Sequence, residues 1–163
     1  MITHAIDPER ALLRHTIATL AYRGGKALRG APASFSSFRI GDPPKTPGEI
    51  LAHIGDLLDW AITLCEGKQA WNDSKPQTWA EDTQRFHETL AKLDARIASG
   101  APLSESAAAL FQGPIADALT HVGQINMLRR LAGVPIKGEN YHRAEITAGQ
   151  VSANQPAPRK QFE

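Results

Sequence analysis

Apolar side chains recur at three- and four-residue steps through four long stretches of the 163-residue chain, which is the period of an amphipathic helix. The first opens at Asp7-Pro8-Glu9, an N-cap followed by proline at the first helical position. It runs through Leu12, Leu13, Ile17, Leu20 and Ala21 to the Gly24-Gly25 pair and Gly30. Residues 31–45 are rich in Pro, Ser and Gly and read as a loop. Thr46-Pro47-Gly48-Glu49 is a capping box, predicting a helix to about Glu66 with Gly67 as its stop. Thr78-Trp79-Ala80-Glu81 is a second capping box, and Phe86, Leu90, Leu93 and Ile97 continue that helix to Ser99-Gly100. A shorter helix fits Leu103–Phe111, Gly113-Pro114 breaks the chain, and a last helix runs from about Pro114 to Leu131. Gly133 and Pro135 stop it.

Period-two alternation is absent apart from a weak trace at Phe35–Ile40, so no sheet competes. The pattern predicts an all-α four-helix bundle with an extra short helix. The long loop after the first helix allows a crossover connection. Residues 1–163 read as one domain, in which about 136–163 form an irregular C-terminal tail wrapping the bundle.

Composition narrows the function. Lys and Arg number 18 against 17 Asp and Glu, a formal charge of +1. That balance argues against a nucleic-acid partner held by phosphate neutralisation and against a polybasic membrane surface. No apolar run approaches the ~20 residues of a membrane span. The N-terminus lacks the basic start and apolar stretch of a signal peptide. These features predict a cytoplasmic protein. The single Cys65 permits no internal disulfide and no cysteine metal knuckle, so a metal site must be built from His and carboxylate. Cys65 itself reads as an inert buried thiol.

Such a site has candidates. With His53 at zero on a helical wheel, Leu57 and Leu64 fall at about 40° and 20° and Ile50 at about 60°. His53 therefore lies within the apolar stripe, with Glu49 and Asp56 at its edge. On the last helix Asp117 and His121 stand at i and i+4, and Gln124 continues their line. Two helices thus each aim a metal-competent group at the bundle interior. Two imidazoles and one carboxylate make a three-ligand set with coordination positions left open. The competing reading is a core histidine and a hydrogen-bonded Asp–His pair, both without metal. His4, His15, His87 and His142 have weaker settings. Trp60, Trp71 and Trp79 read as core and loop anchors. Arg129-Arg130 sits in a last helical turn, where cations suit the dipole.

The stretch Thr46-Pro47-Gly48-Glu49-Ile50-Leu51-Ala52-His53, together with Asp117-x3-His121-Val122-Gly123-Gln124-Ile125, resembles the DinB/YfiT-like superfamily of bacterial helical-bundle proteins. The resemblance spans about residues 8–135. Where that family often has the first histidine of a His-x3-His pair, this chain has Asp117. The resemblance implies a four-helix bundle with a crossover, a divalent metal such as zinc or nickel on His53, Asp117 and His121, and a homodimer. It also implies a thiol-dependent S-transferase, isomerase or hydrolase that uses a low-molecular-weight thiol. The alternative is a non-catalytic metal- or partner-binding bundle in a stress response.

Overall fold

A computed structural model describes residues 7–162, and every statement of absence below concerns those residues. His4 lies outside them. Four long helices carry the fold: α1 (Pro8–Leu28), α2 (Pro47–Cys65), α3 (Trp79–Ala98) and α5 (Ala116–Leu131), with a short α4 (Ala107–Leu110) before the last. No strand is present; one isolated bridge pairs Glu139 with Gln161.

The punctuation read from the sequence acts as expected. Asp7 accepts a hydrogen bond from the Glu9 amide at 3.0 Å. Both capping boxes close, with Glu49 reaching back to the Thr46 amide at 2.8 Å and Glu81 to the Thr78 amide at 3.0 Å.

The helices pack in the cyclic order α1, α3, α2, α5, so that α1 is diagonal to α2 and α3 to α5. The segment from Arg29 to Thr46 therefore crosses the end of the bundle, as the long loop suggested. The core is layered from Ile17 and Leu20 of α1, Ile54 and Leu58 of α2, Phe86, Leu90 and Leu93 of α3, and Ile125 of α5, all at most 1% exposed. Each such side chain contributes about 1.5–3 kcal/mol on burial.

Two expectations, on residues 35–40 and 103–111, are corrected, and the glycine pair of α1 has a packing role. Helix α1 runs through the Gly24-Gly25 pair to Leu28. A Cβ on Gly24 would lie 2.4 Å from the Phe86 ring, so that glycine permits the close approach of α1 and α3. The trace of alternation at Phe35–Ile40 is a 3-10 turn at Ala33–Ser37, and it buries Phe35 against Trp79. The helix expected over Leu103–Phe111 is only Ala107–Leu110. It runs into a wide turn, Phe111–Ile115, where Gly113 leaves helical geometry just before Pro114. Proline has no amide to donate to the preceding turn, so the chain kinks there instead of ending.

The tail is tied to α1 by a buried joint. Glu139 has a side chain 0% exposed. It accepts from the Lys26 ammonium and from the Tyr22 hydroxyl, each at 2.6 Å. Burial and the bond to Glu139 push the Tyr22 hydroxyl well above its usual pKa. Arg129 does more than complement a helix dipole. It is 5% exposed and donates to the carbonyls of Ala27, Arg29 and Val134, joining the end of α5 to the end of α1.

Candidate metal centre

His53, Asp117 and His121 come together at the seam between α2 and α5. One ligand atom from each lies within 4.8 Å of the other two. The His121 Nε2 is 3.5 Å from Asp117 Oδ1, and the His53 Nε2 is 3.8 Å from Asp117 Oδ2. The two imidazole rings stand edge to face, centroids 4.7 Å apart.

The setting differs from the one expected. The core row of α5 is Ala118, Val122 and Ile125, and the Asp117–His121–Gln124 line runs beside it. Successive helical residues are rotated by about 100°, so position 117 points to the flank when 118 points inward. Asp117 is accordingly 48% exposed, His53 28% and His121 13%. The cluster sits at the partly exposed α2/α5 seam and not in the bundle interior.

The geometry is not that of a hydrogen-bonded triad. A nitrogen-to-oxygen hydrogen bond spans about 2.7–3.2 Å, and neither Asp117 separation falls in that range. Neighbouring ligands on one tetrahedral ion at about 2.0–2.2 Å stand some 3.3–3.6 Å apart. The two histidine nitrogens face different oxygens of Asp117, at 3.5 and 3.8 Å, and the three candidate ligand atoms lie within 4.8 Å of one another, so an ion would have to draw the set together.

Protonation agrees. The Gln124 carbonyl oxygen faces His121 Nδ1 at 2.7 Å, so Nδ1 carries the proton and donates. In that tautomer of the ring the lone pair is on Nε2, the atom that faces Asp117. Burial, His121 and Lys45 together lower the pKa of His53 below the usual histidine value, and at neutral pH its ring is uncharged. Two imidazoles and a carboxylate suit a divalent ion of borderline softness, and three donors leave coordination positions open.

The two edge carboxylates are spoken for. Glu49 is held in its capping box. Asp56 is 2% exposed and binds the Ser74 amide and hydroxyl at 2.9 and 2.6 Å and Arg85 at 2.7 Å. Burial pushes its carboxyl up, but these donors outweigh burial and hold it below the usual range. Gly55 makes this possible, because a Cβ there would meet the Arg85 guanidinium at 2.6–2.7 Å. Asp56 thereby pins the loop after α2, and that loop sets Trp71 edge-on against His53, centroids 5.5 Å apart. Trp71 in turn meets Trp60 at 6.0 Å. A cleft of about 410 Å³ opens beside His53, walled by Lys45 and by the Asp73–Pro76 segment.

Sequence reasoning placed the three ligand candidates together but took Trp71 for an anchor. It is 47% exposed and forms a wall of the site. Its loop has no periodicity, so the sequence carried no signal for that contact. The other histidines stay apart from the cluster: His15 and His142 are exposed, and His87 bonds the Val151 carbonyl oxygen at 3.2 Å. Cys65 is buried, and burial raises its thiol pKa.

Replacing Gln124 with leucine should free His121 to change tautomer and rotate. Loss of such a partner costs about 10–100-fold in metal affinity. Zinc titration against a competing chelator measures it, and unchanged affinity would remove Gln124 from the site. The chain matches no family model, no curated protein and no solved structure.

Proposed function

We propose that the chain is a divalent-metal-dependent enzyme with His53, Asp117 and His121 as ligands, of the DinB-like type and working on a thiol. The observation that carries the metal part is the spacing of two Nε2 atoms at 3.5 and 3.8 Å from one carboxylate that neither nitrogen hydrogen-bonds. Zinc or nickel fits the donors, because imidazole suits both and the carboxylate hardens the set slightly. When bound, the metal supplies Lewis acidity, which lowers the pKa of a thiol or water reaching it.

The chain's own residues set the rest. Gln124 fixes the tautomer of His121. Trp71 and Trp60 shield His53 from bulk water on one side. The cleft beside His53 gives a small molecule access, and Lys45 stands at its rim. On this reading the reaction is an S-transfer, isomerisation or hydrolysis that uses a low-molecular-weight thiol.

The test has two stages. Elemental analysis of protein purified without a metal-affinity tag should find close to one zinc or nickel per chain. A screen of the loaded enzyme with small thiols and electrophilic acceptors should then show turnover that Asp117→Ala abolishes. Metal without turnover for any thiol would refute the enzyme and leave a binding protein.

A homodimer is part of the proposal. Leu12 and Phe111, 68% and 46% exposed, line an apolar groove of about 380 Å³ between α1 and α4. A two-fold partner would cover such a surface. Light scattering at micromolar concentration should give twice the chain mass, and a monomer there refutes the pairing.

A further inference from the structure

The C-terminal tail meets the bundle a second time, away from the Glu139 joint. Its stretch from Ile146 to Pro158 carries no charged side chain. The hydrogen bonds of that stretch close on themselves, as in a compact surface loop. The Gln150 amide donates to the Thr147 carbonyl at 3.0 Å and the Val151 amide to the Gly149 carbonyl at 3.1 Å. The Gln155 side chain donates to the Gln150 and Ser152 carbonyls at 3.2 and 2.7 Å, and the Gln150 side chain to the Asn154 carbonyl at 2.6 Å. Among the described residues, one hydrogen bond joins this loop to the helices, between His87 Nδ1 of α3 and the Val151 carbonyl oxygen at 3.2 Å. Val151 is 7% exposed and packs with the core. The loop is thus a closed unit, fastened to the bundle by one apolar side chain and one histidine.

A carbonyl oxygen can only accept, so Nδ1 carries the proton of the neutral His87 ring. A second proton goes to Nε2, which has no hydrogen-bond partner among the described residues. That atom lies beside α1, where a Cβ on Gly25 would be 3.7 Å away. Arg29, at the end of α1, is a charged group whose field reaches the ring. Lys26, next to Gly25, is paired with Glu139. On α3, Glu88 shares a cleft wall with His87 and accepts from Gln84 at 2.7 Å. The loop itself brings no charge. No carboxylate among the described residues pairs with the ring. Burial lowers the His87 pKa below the usual histidine value; the Val151 carbonyl opposes that shift and Arg29 adds to it.

We infer that residues 146–158 form a strap whose hold on the bundle is set by the charge of His87, firm while the ring is neutral and loosened once it takes a second proton. The proton does not break the bond to Val151, because Nδ1 still donates. It puts a charge on a ring that the docked loop keeps from water, and lifting the loop lets water reach that ring. The lifted state therefore binds the proton more tightly. Docking is at full strength above the usual histidine pKa of about 6.5, and it weakens as the pH falls from there toward the lower docked value. One proton changes such an equilibrium by at most about tenfold per pH unit. Lifting also widens a cleft of about 490 Å³ walled by Leu28, Trp79 and His87, of which Ala153 forms one side. The strap is independent of the metal centre, which lies at the α2/α5 seam.

The test is amide hydrogen exchange of the full chain against pH, corrected for the intrinsic pH dependence of exchange, with chelator throughout so that metal loss in acid does not enter. Between about pH 7.5 and 5.5, protection of residues 146–158 should fall by up to about tenfold relative to Leu90 and Leu93 of α3. Imidazole NMR on the same samples should show His87 as the Nδ1–H tautomer, titrating below about 6.5. His87→Asn places an amide donor near the Nδ1 position and cannot titrate, so its loop protection, whether retained or lost, should be flat across that range. Loop protection that tracks the core at every pH, a His87 ring that titrates at or above the usual value, or a pH dependence that survives in His87→Asn would each overturn the strap.

Discussion

His121→Ala should empty the metal centre and leave the bundle standing. The substitution removes one of three ligands and the only one oriented by a side-chain partner, Gln124. Two ligands remain, on different helices, and metal content by elemental analysis should fall close to zero. The fold does not depend on this residue, because the core rows of α2 and α5 are apolar without it. Metal that binds only the folded chain adds RT ln(1 + [L]/Kd), about 2.7 kcal/mol at a hundredfold excess over Kd. For a domain of this size that is about 5–11 °C in melting temperature. Wild type should show that rise with zinc or nickel and lose it with chelator; the variant should melt at the chelated wild-type temperature in both. A metal-free polar network makes the opposite forecast. Then the wild-type melting point ignores both additions, while the variant loses about 1–3 kcal/mol from unsatisfied partners. That second pattern would remove the metal reading and the enzyme with it.

Glu139→Leu should be the most destabilising single change in the tail. It leaves the Lys26 ammonium, 8% exposed, without a counter-charge and the Tyr22 hydroxyl without an acceptor. Removing one partner of a buried ion pair costs about 3–5 kcal/mol, which here is about 6–20 °C in melting temperature. Two controls separate charge burial from a general effect on the tail. Glu145→Gln breaks an exposed pair with Arg159, 52% and 61% exposed, and should cost under about 1 kcal/mol. Lys26→Met combined with Glu139→Leu removes both charges and should recover much of the loss, since an apolar replacement of a buried pair is often close to neutral. Equal melting points for Glu139→Leu and Glu145→Gln would show that the joint contributes little.

The helices were legible because their ends are written locally. Thr46 with Glu49, and Thr78 with Glu81, are three residues apart, and each pair closes its own turn whatever packs around it. The grouping of the three candidate residues was legible for a related reason: Asp117 and His121 share a face through i,i+4 spacing alone, and His53 could be set on the wheel from its neighbours. Depth was harder to read. A wheel gives direction about one helix axis, but whether that direction meets the core or a groove depends on where the next helix lies. With α5 between α1 and α2, the 117–121–124 line falls on the α2 side of the core row. Contacts made across the chain were out of reach. Asp56 gripping Ser74, Gly55 yielding to Arg85, and Arg129 reaching Ala27 join residues whose local context says nothing of their partners. Trp71 became a wall of the site through such a tether, and Glu139 looked like any tail glutamate.

On the proposed reading, the placement of the three candidate ligands on two elements from opposite halves of the chain bears on the order of events during folding. An α5 segment alone offers a metal only the Asp117–His121 pair, and the His53 donor arrives once α2 has docked. A transition state in which that docking is incomplete gains little from the ion. Interactions absent from the transition state act on escape from the native state and not on its formation. Zinc or nickel should therefore slow unfolding by close to the full linkage factor while refolding proceeds at the metal-free rate. The ion would act as a latch on the finished bundle, lengthening its lifetime without guiding its assembly.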